Sequence, residues 1–155
     1  MWAAGADGDR TERIAELLGG TRVLRRTVST ALDAHDVLVG GLPGAALSHL
    51  VGRLTVLRKT DSLEKAVGMS PRTFQRRREG QEKPLNHEQS ARTWKFAELL
   101  SKATEVFGTQ QQAERWLEEP ALALDDRRPI DLITTPAGVA LVETLLRRLE
   151  YGVYT

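Results

Sequence analysis

The C-terminal third of the sequence alternates apolar stretches with residues that start and stop helices. Asn and Thr cap a helix N-terminus, Pro suits the first turn, and Gly or Pro ends the helix. These signals occur in the order Asn86, Gly108, Thr109, Pro120, Pro129, Thr135-Pro136 and Gly152. Between them apolar residues recur at helical spacing, as in Val139, Val142, Leu145, Leu146 and Leu149. The pattern predicts a compact helical module.

The first half of the sequence carries weaker helical signals. Residues 1–10 are rich in Gly, Ala and Asp, and we expect them to be disordered. Two short helices are predicted after Thr11 and Thr30, each ended by a Gly-Gly pair. A stronger helix is predicted to begin at Leu42-Pro43-Gly44, and its apolar stripe consists of Leu47, Leu50, Val51, Leu54 and Leu57.

Residues 62–80 have the pattern of a helix-turn-helix. A short helix at residues 63–67 is followed by Gly68 in the turn and by Ser70, which caps a second helix. The second helix presents residue types that reach phosphates and base edges in the major groove. We expect the DNA-contacting residues to be Ser70, Arg72, Thr73, Gln75, Arg76 and Arg77. The alternative is a solvated basic face on an ordinary helical hairpin.

The segment around Pro84 interrupts the helical pattern and suggests a domain boundary between Leu85 and Asn86. The predicted fold class is all-α. We expect a helical domain that contains the helix-turn-helix at residues 11–85 and a smaller helical domain at residues 86–155.

The composition limits the class of protein. The chain is 41% hydrophobic and 28% charged, which is ordinary for a soluble globular protein. It contains no cysteine, which excludes disulfides and cysteine-based metal sites and fits a reducing compartment. There is no long apolar run and no signal-peptide pattern, so we expect a cytoplasmic protein that contacts no membrane. Because the net charge is only +1, any basic patch must be local.

No residue pattern indicates catalysis. His35, His49 and His87 are scattered and lack partners at metal-ligand or nucleophile spacing. Asp125 and Asp126 are adjacent, but carboxylates in a loop more often shape a turn than transfer protons. We therefore expect no enzyme activity, no cofactor and no metal.

These residues together resemble the Xre/MbcA/ParS antitoxins, the antidote halves of bacterial type II toxin–antitoxin pairs. The resemblance is densest after residue 86, in Phe107-Gly108, Ala113, Trp116-Leu117, Pro120, the segment Arg128-Pro129-Ile130-Asp131-Leu132, Gly138, Val142, Leu145 and the segment Glu150-Tyr151-Gly152-Val153-Tyr154. Upstream, Leu18-Gly19-Gly20, Gly41-Leu42-Pro43 and the helix-turn-helix are similar to the family's N-terminal half. One departure is the pair Asp125-Asp126, where family members commonly have glycines.

The resemblance implies a partner, and the residues at the end of the sequence add a hypothesis for the mechanism. Such antitoxins neutralise a RES-domain toxin, which uses NAD either to degrade it or to transfer its ADP-ribose, and they often repress their own operon as dimers. The end of the chain is suited to plug a nucleotide-sized cleft, with aromatic anchors and with arginines that pair with acidic groups of the toxin. The expected toxin-binding residues are Arg147, Arg148, Glu150, Tyr151, Gly152, Val153, Tyr154 and Thr155.

Two alternatives stay open at this point. Tyr151 and Val153 could instead pack the helix end against the module. The whole chain could also be a stand-alone transcription regulator whose C-terminal domain serves dimerisation. An antitoxin is expected to bind a toxin, operator DNA and a second copy of the chain. A stand-alone regulator is expected to bind only DNA and a second copy.

Overall fold

The computed structural model describes residues 2–59, 62–80 and 82–152. This part of the chain forms α-helices and no strand beyond two isolated backbone bridges, so the predicted all-α class is confirmed. The helices are α1 (Trp2–Leu17), α2 (Gly20–Leu24), α3 (Ala31–Gly40), α4 (Gly44–Arg53), α5 (Ser62–Ala66), α6 (Pro71–Glu79), α7 (His87–Phe107), α8 (Gln110–Glu118), α9 (Pro129–Leu132) and α10 (Pro136–Glu150).

Predicted capping residues begin several helices. At the start of α7, Asn86 Oδ1 accepts a hydrogen bond from the Gln89 N–H at 2.8 Å, and Gln89 Oε1 accepts one from the Asn86 N–H at 3.1 Å. This reciprocal capping box satisfies two donors that a helix N-terminus otherwise leaves unpaired. Hydroxyl caps also begin α3, α6, α8 and α10, at Thr30, Ser70, Thr109 and Thr135.

The first ten residues were expected to be disordered, but the structure places residues 2–10 in a helix. Helix α1 begins at Trp2, so Thr11 lies inside the helix rather than capping it. The alanines near the start favour a helix, and Gly5 and Gly8 oppose it by roughly 1 kcal/mol each. Further along the helix, Ile14 is buried in the core, so tertiary packing stabilises α1 and helix growth extends from the packed part.

Helix α4 ends at Arg53, although the apolar stripe predicts that it continues through Leu57. The backbone N–H groups of residues 55–57 donate to the side chain of Glu114 instead of to carbonyls one turn earlier. The helix cannot continue because its hydrogen bonds are diverted. Leu54 and Leu57 remain buried in the turn that follows, which contains the 3-10 segment Leu57–Lys59. Thr60 and Asp61 are residue types that can cap the next helix, and both lie outside the described residues.

Helix α7 connects the two halves of the chain. It contacts α1, α3 and α5 from the first half and α8 and α10 from the second. The buried hydroxyl of Ser90 on α7 accepts a hydrogen bond from the Leu42 N–H at 2.9 Å. Buried apolar residues form a cluster that continues across the proposed boundary between Leu85 and Asn86. That boundary stays a prediction, and the core around it is shared.

Candidate functional site

The predicted helix-turn-helix is formed by α5, a short turn and α6. Gly68 in the turn has φ 74°, the left-handed region that glycine adopts without strain. The apolar residues whose spacing suits them to hold the two helices together are all buried, namely Leu63, Val67, Met69 and Phe74. Helix α6 packs on α4, and α5 packs on α7 and α9. The arrangement leaves the polar face of α6 towards solvent.

The outward face of α6 carries the residues predicted to contact DNA. Those that are exposed are Ser70, Arg72, Gln75 and Arg76, and those that are half-buried are Thr73 and Arg77. Ser70 Oγ accepts from the Thr73 N–H at 3.2 Å and donates to Thr73 Oγ1 at 3.0 Å. These two hydroxyls are therefore engaged in the cap, whereas the exposed arginines are available to a ligand.

A basic cavity lies at the C-terminal end of α6. It encloses about 520 Å³ and is lined by Arg76, Arg77, Glu79, Gly80 and Lys83. Within the described part of the chain, no group accepts a hydrogen bond from the buried Nε of Arg77. Two guanidinium groups and one ammonium around a cavity suit a phosphate of a nucleic-acid backbone.

The predicted toxin-binding end of α10 is open to solvent. Arg147 and Arg148 are exposed, and Tyr151 is 74% exposed. Tyr151 therefore does not pack the helix end against the module, which was the open alternative for this residue. Gly152 has φ 72° and ends the helix, as predicted. The predicted contacts Val153, Tyr154 and Thr155 lie outside the described residues.

Glu150 has a different environment from its neighbours at this end. Its carboxylate accepts a hydrogen bond from Lys102 Nζ of α7 at 2.5 Å. Lys102 also lies 3.9 Å from Glu105, and Arg13 of α1 is 2.8 Å from Glu105. Closer to the start of α10, Glu143 lies 3.9 Å from Lys95 of α7. Glu150 and Glu143 therefore form two ion pairs between α10 and α7. These ion pairs favour the observed rotation of α10 against α7.

Close backbone contact positions the start of α10. A Cβ at Gly138 would lie 1.7 Å from the carbonyl oxygen of Leu132, so only glycine fits there. Arg92 of α7 donates to the Thr134 carbonyl at 2.6 Å, just before α10 begins. The same guanidinium lies against Gly68 in the helix-turn-helix turn. Arg92 therefore touches both halves of the molecule.

The sequence pattern does not predict a role for Glu114. In the described structure its buried carboxylate accepts several hydrogen bonds. Glu114 is 0% exposed. Its carboxylate accepts from three consecutive backbone N–H groups, those of Thr55, Val56 and Leu57, at 2.8–3.2 Å. Gln110 Nε2 donates to it at 2.9 Å. The available signal was a charged residue between two inward-facing residues of α8, Ala113 and Leu117.

The loop before α9 holds both of its aspartates in the left-handed region of backbone conformation. Asp125 and Asp126 have φ 59° and 61°, values that aspartate adopts more readily than most residues. Their neighbour Ala121 forms a backbone bridge with Arg127. Farther on, hydrogen bonds from the Arg128 side chain hold the pKa of Asp131 below its usual range. This ion pair supports the first turn of α9.

The histidine and carboxylate side chains of the described residues do not form a metal-binding cluster. No group of three His, Asp or Glu side chains in this part of the chain could hold a metal ion. His49 Nδ1 lies 3.4 Å from the Leu17 carbonyl, and burial lowers its pKa below the ordinary value. This histidine ties α4 to the end of α1. None of the helices in the described ranges has the length and hydrophobicity that crossing a bilayer requires.

The fold and these two surfaces define an all-α helix-turn-helix protein with an appended helical domain. Comparison with known proteins gives the family. Residues 33–98 match the antitoxin Xre-like helix-turn-helix domain, and residues 102–152 match the antitoxin Xre/MbcA/ParS C-terminal toxin-binding domain. The chain belongs to the Xre/MbcA/ParS antitoxin family, and it is an antitoxin of a toxin–antitoxin system.

Individual relatives agree with this assignment. The chain is 28% identical over 140 residues to the antitoxin Xre of Yersinia enterocolitica, covering 87% of this chain and 93% of that protein. It is 32% identical over 71 residues to the antitoxin Xre of Pseudomonas putida, covering 46% of this chain and 45% of the relative. The chain is also 25% identical over 135 residues to a Sphingobium protein with the name Prs ADP-ribosylating antitoxin. This match covers 81% of this chain and 83% of that protein.

Proposed function

We propose that this antitoxin neutralises a RES-domain toxin, an NAD-using enzyme, by placing the end of α10 and the residues after it in the toxin's active-site cleft. The observation that carries the proposal is the 74% exposure of Tyr151 beside the exposed Arg147 and Arg148. Within the described part of the chain, neither arginine forms an ion pair. Exposed Tyr and Arg side chains are the residue types that most often anchor protein interfaces.

Chemistry and the names of the relatives support this kind of toxin. A site that binds NAD must accommodate an aromatic ring system and two phosphates, and a tyrosine followed by a flexible glycine has a suitable size. The Sphingobium relative carries ADP-ribosylation in its name, which supports a toxin that transfers ADP-ribose. In this mechanism Gly152, Val153, Tyr154 and Thr155 enter the cleft, and Arg147 and Arg148 pair with acidic residues at its rim.

Co-expression with a RES-type toxin, taken from the gene next to that of the antitoxin where it encodes one, tests this function. The wild-type chain should restore growth and bind the toxin in a pull-down. Deletion of residues 152–155, and separately Tyr151→Ala with Arg148→Glu, should abolish growth rescue while the helical content is unchanged. An exposed control on α3, His35→Ala, should rescue growth like the wild type. Full rescue by the deletion variant would refute insertion of the chain end.

We also propose that the helix-turn-helix binds operator DNA and represses the antitoxin's own operon, with two copies of the chain on a two-fold operator. The exposed Arg72 and Arg76 and the cavity beside them support phosphate contacts. Affinity for the promoter should fall steeply with salt, because binding releases counterions from DNA. Arg76→Ala should weaken binding and reduce the salt slope by about one contact, whereas Arg22→Ala on the distant α2 should not.

The remaining alternative is a stand-alone transcription regulator whose C-terminal domain only dimerises. It predicts DNA binding without toxin binding, so the pull-down separates the two functions. A promoter interaction that is undetectable or insensitive to salt would count against the DNA-binding part alone.

A further inference from the structure

An exposed apolar face lies on α3, far along the sequence from the proposed toxin-binding residues. Leu32 is 68% exposed and Val39 is 62% exposed, which is high for large apolar residues in a helix that packs on a core. His35 and Asp36 lie between them and are also exposed. Steps of three and four residues place these side chains on one side of the helix. We call the four residues the α3 face.

The rest of the molecule keeps the α3 face exposed. On the opposite side of the helix, Ala34 and Val37 are buried in the core. Helix α3 packs on α1 and α7. A capping box fixes the start of the helix, in which the Thr30 hydroxyl accepts a hydrogen bond from the Asp33 N–H at 3.0 Å. The α3 face therefore cannot turn inwards without the loss of core contacts.

The order of the residues on the α3 face makes the face complementary to itself. A two-fold axis that passes between positions 35 and 36, at right angles to the helix, places Leu32 of one copy against Val39 of a second copy. The same axis places His35 against Asp36 of the second copy, where an imidazole N–H can donate to the carboxylate. A parallel pair would instead place Asp36 beside Asp36 of the second copy, and like charges repel. The sequence of α3 therefore favours an antiparallel pair.

We propose that the α3 face joins two copies of this chain as an antiparallel helix pair. This inference rests on the proposed function, in which two copies bind a two-fold operator, and it names the surface through which they meet. Charge favours a second copy over DNA at this face, because Asp36 repels a phosphate backbone. In the pair, Asp36 lies between His35 of the second copy and Arg26 of its own chain, which is 3.8 Å away.

The size of the α3 face limits the strength of the pair. A stable interface buries about 800 Å² on each partner. One side of a helix of 10 residues offers less than that. We therefore expect a dissociation constant on the order of micromolar for the free protein. Pairing is tighter on the operator, because DNA that binds two copies side by side raises their effective concentration.

Introduced cysteines test the register of the pair, because the chain has none of its own. Under mild oxidation, Leu32→Cys with Val39→Cys should form disulfide-linked dimers that a non-reducing gel detects. Leu32→Cys alone should not, because the two copies of position 32 are about 10 Å apart along the antiparallel helices. A disulfide needs Cα atoms within about 7 Å. A control with two thiols is Leu32→Cys with Leu141→Cys, since Leu141 on α10 is also a leucine that is 55% exposed.

Sedimentation of the full-length antitoxin, alone and with promoter DNA, tests the chemistry of the pair. Leu32→Glu should weaken the dimer about 100-fold or more, because a substitution in a symmetric interface occurs twice. His35→Glu places an acid opposite Asp36 of the second copy and should weaken the dimer about tenfold. The further change Asp36→Lys should restore it. The α3 face lies outside the surface proposed to bind the toxin, so retained growth rescue shows that each variant folds.

The outcomes separate this inference from the proposed function. If Leu32→Cys with Val39→Cys crosslinks no better than the two cysteine controls, the antiparallel register is wrong and the inference fails. If the antitoxin dimerises and Leu32→Glu dimerises equally well, the copies meet elsewhere, so the inference fails and operator binding by two copies stands. If a single copy occupies the promoter, both the inference and the two-fold operator are wrong. If the copies pair through the α3 face and no promoter DNA is bound, the DNA-binding proposal fails and the pairing stands.

Discussion

Replacement of Glu114 by alanine should destabilise the whole molecule. The change removes the acceptor for the N–H groups of Thr55, Val56 and Leu57, all within 3.2 Å of the carboxylate. A buried donor left without a partner costs about 1–3 kcal/mol, so three would cost about 3–9 kcal/mol. Relaxation of the turn and entry of water should reduce the cost to about 3–5 kcal/mol. That is a large fraction of the roughly 5–15 kcal/mol that stabilises typical domains.

Urea unfolding followed by far-UV circular dichroism measures this effect. Glu114→Gln keeps the shape and one carbonyl acceptor, so its loss should be smaller, about 1–3 kcal/mol, through weaker neutral hydrogen bonds. Glu119→Ala, an exposed change on the residue that caps the same helix, should stay within about 0.5 kcal/mol of the wild type. If Glu114→Ala unfolds at the same urea concentration as Glu119→Ala, the buried carboxylate does not hold the turn and the reasoning is wrong.

Three further predictions concern single positions. Gly138→Ala should cost about 3 kcal/mol in urea unfolding, because its Cβ would meet the Leu132 carbonyl. Gly52→Ala in α4, where an added methyl group would find nothing within 4 Å, should instead be neutral or stabilising, and equal effects would contradict the argument. Asp126→Gly should stabilise by about 0.5 kcal/mol by relieving its left-handed backbone, whereas Asp126→Ala should destabilise, and a reversed order in thermal melts would refute the assignment of strain. His49 has a pKa lowered from 6.5 by burial and then by Arg53, so the folded state binds fewer protons than the unfolded state. Stability should therefore be full above about pH 6.5 and fall as the pH drops below it, and His49→Gln should flatten this slope below about pH 6.5.

The sequence predicts the local features of the fold and misses those that depend on distant partners. The cap at Asn86 and the Gly68 turn depend on residues only a few positions away, so the sequence pattern was enough to place them. Glu114 meets a turn 57 residues or more away, and nothing near Glu114 in the sequence indicates that turn. The N-terminal helix was missed because its stability comes from packing of Ile14 and not from the composition of residues 1–10.

On the candidate surfaces too, the sequence predicts residue types within one helix but not contacts between distant residues. The charged residues of α6 and the arginines of α10 were identified from their residue types and their place in a helix. The ion pair of Glu150 with Lys102 was not, because the two residues are 48 positions apart. Leu141 was not singled out either, since an apolar residue in an amphipathic helix is expected in the core and only the observed rotation of α10 places it outside.

The position of α7 between the two halves has a consequence for the lifetime of the antitoxin in the cell. Because one helix packs against both the helix-turn-helix half and α10, we expect local unfolding of α7 to disrupt both surfaces in a single cooperative event. Under the function proposed above, a cellular protease that captures this opened form would remove the toxin-binding and the DNA-binding surfaces together. Both proposed activities would then be lost in the same step.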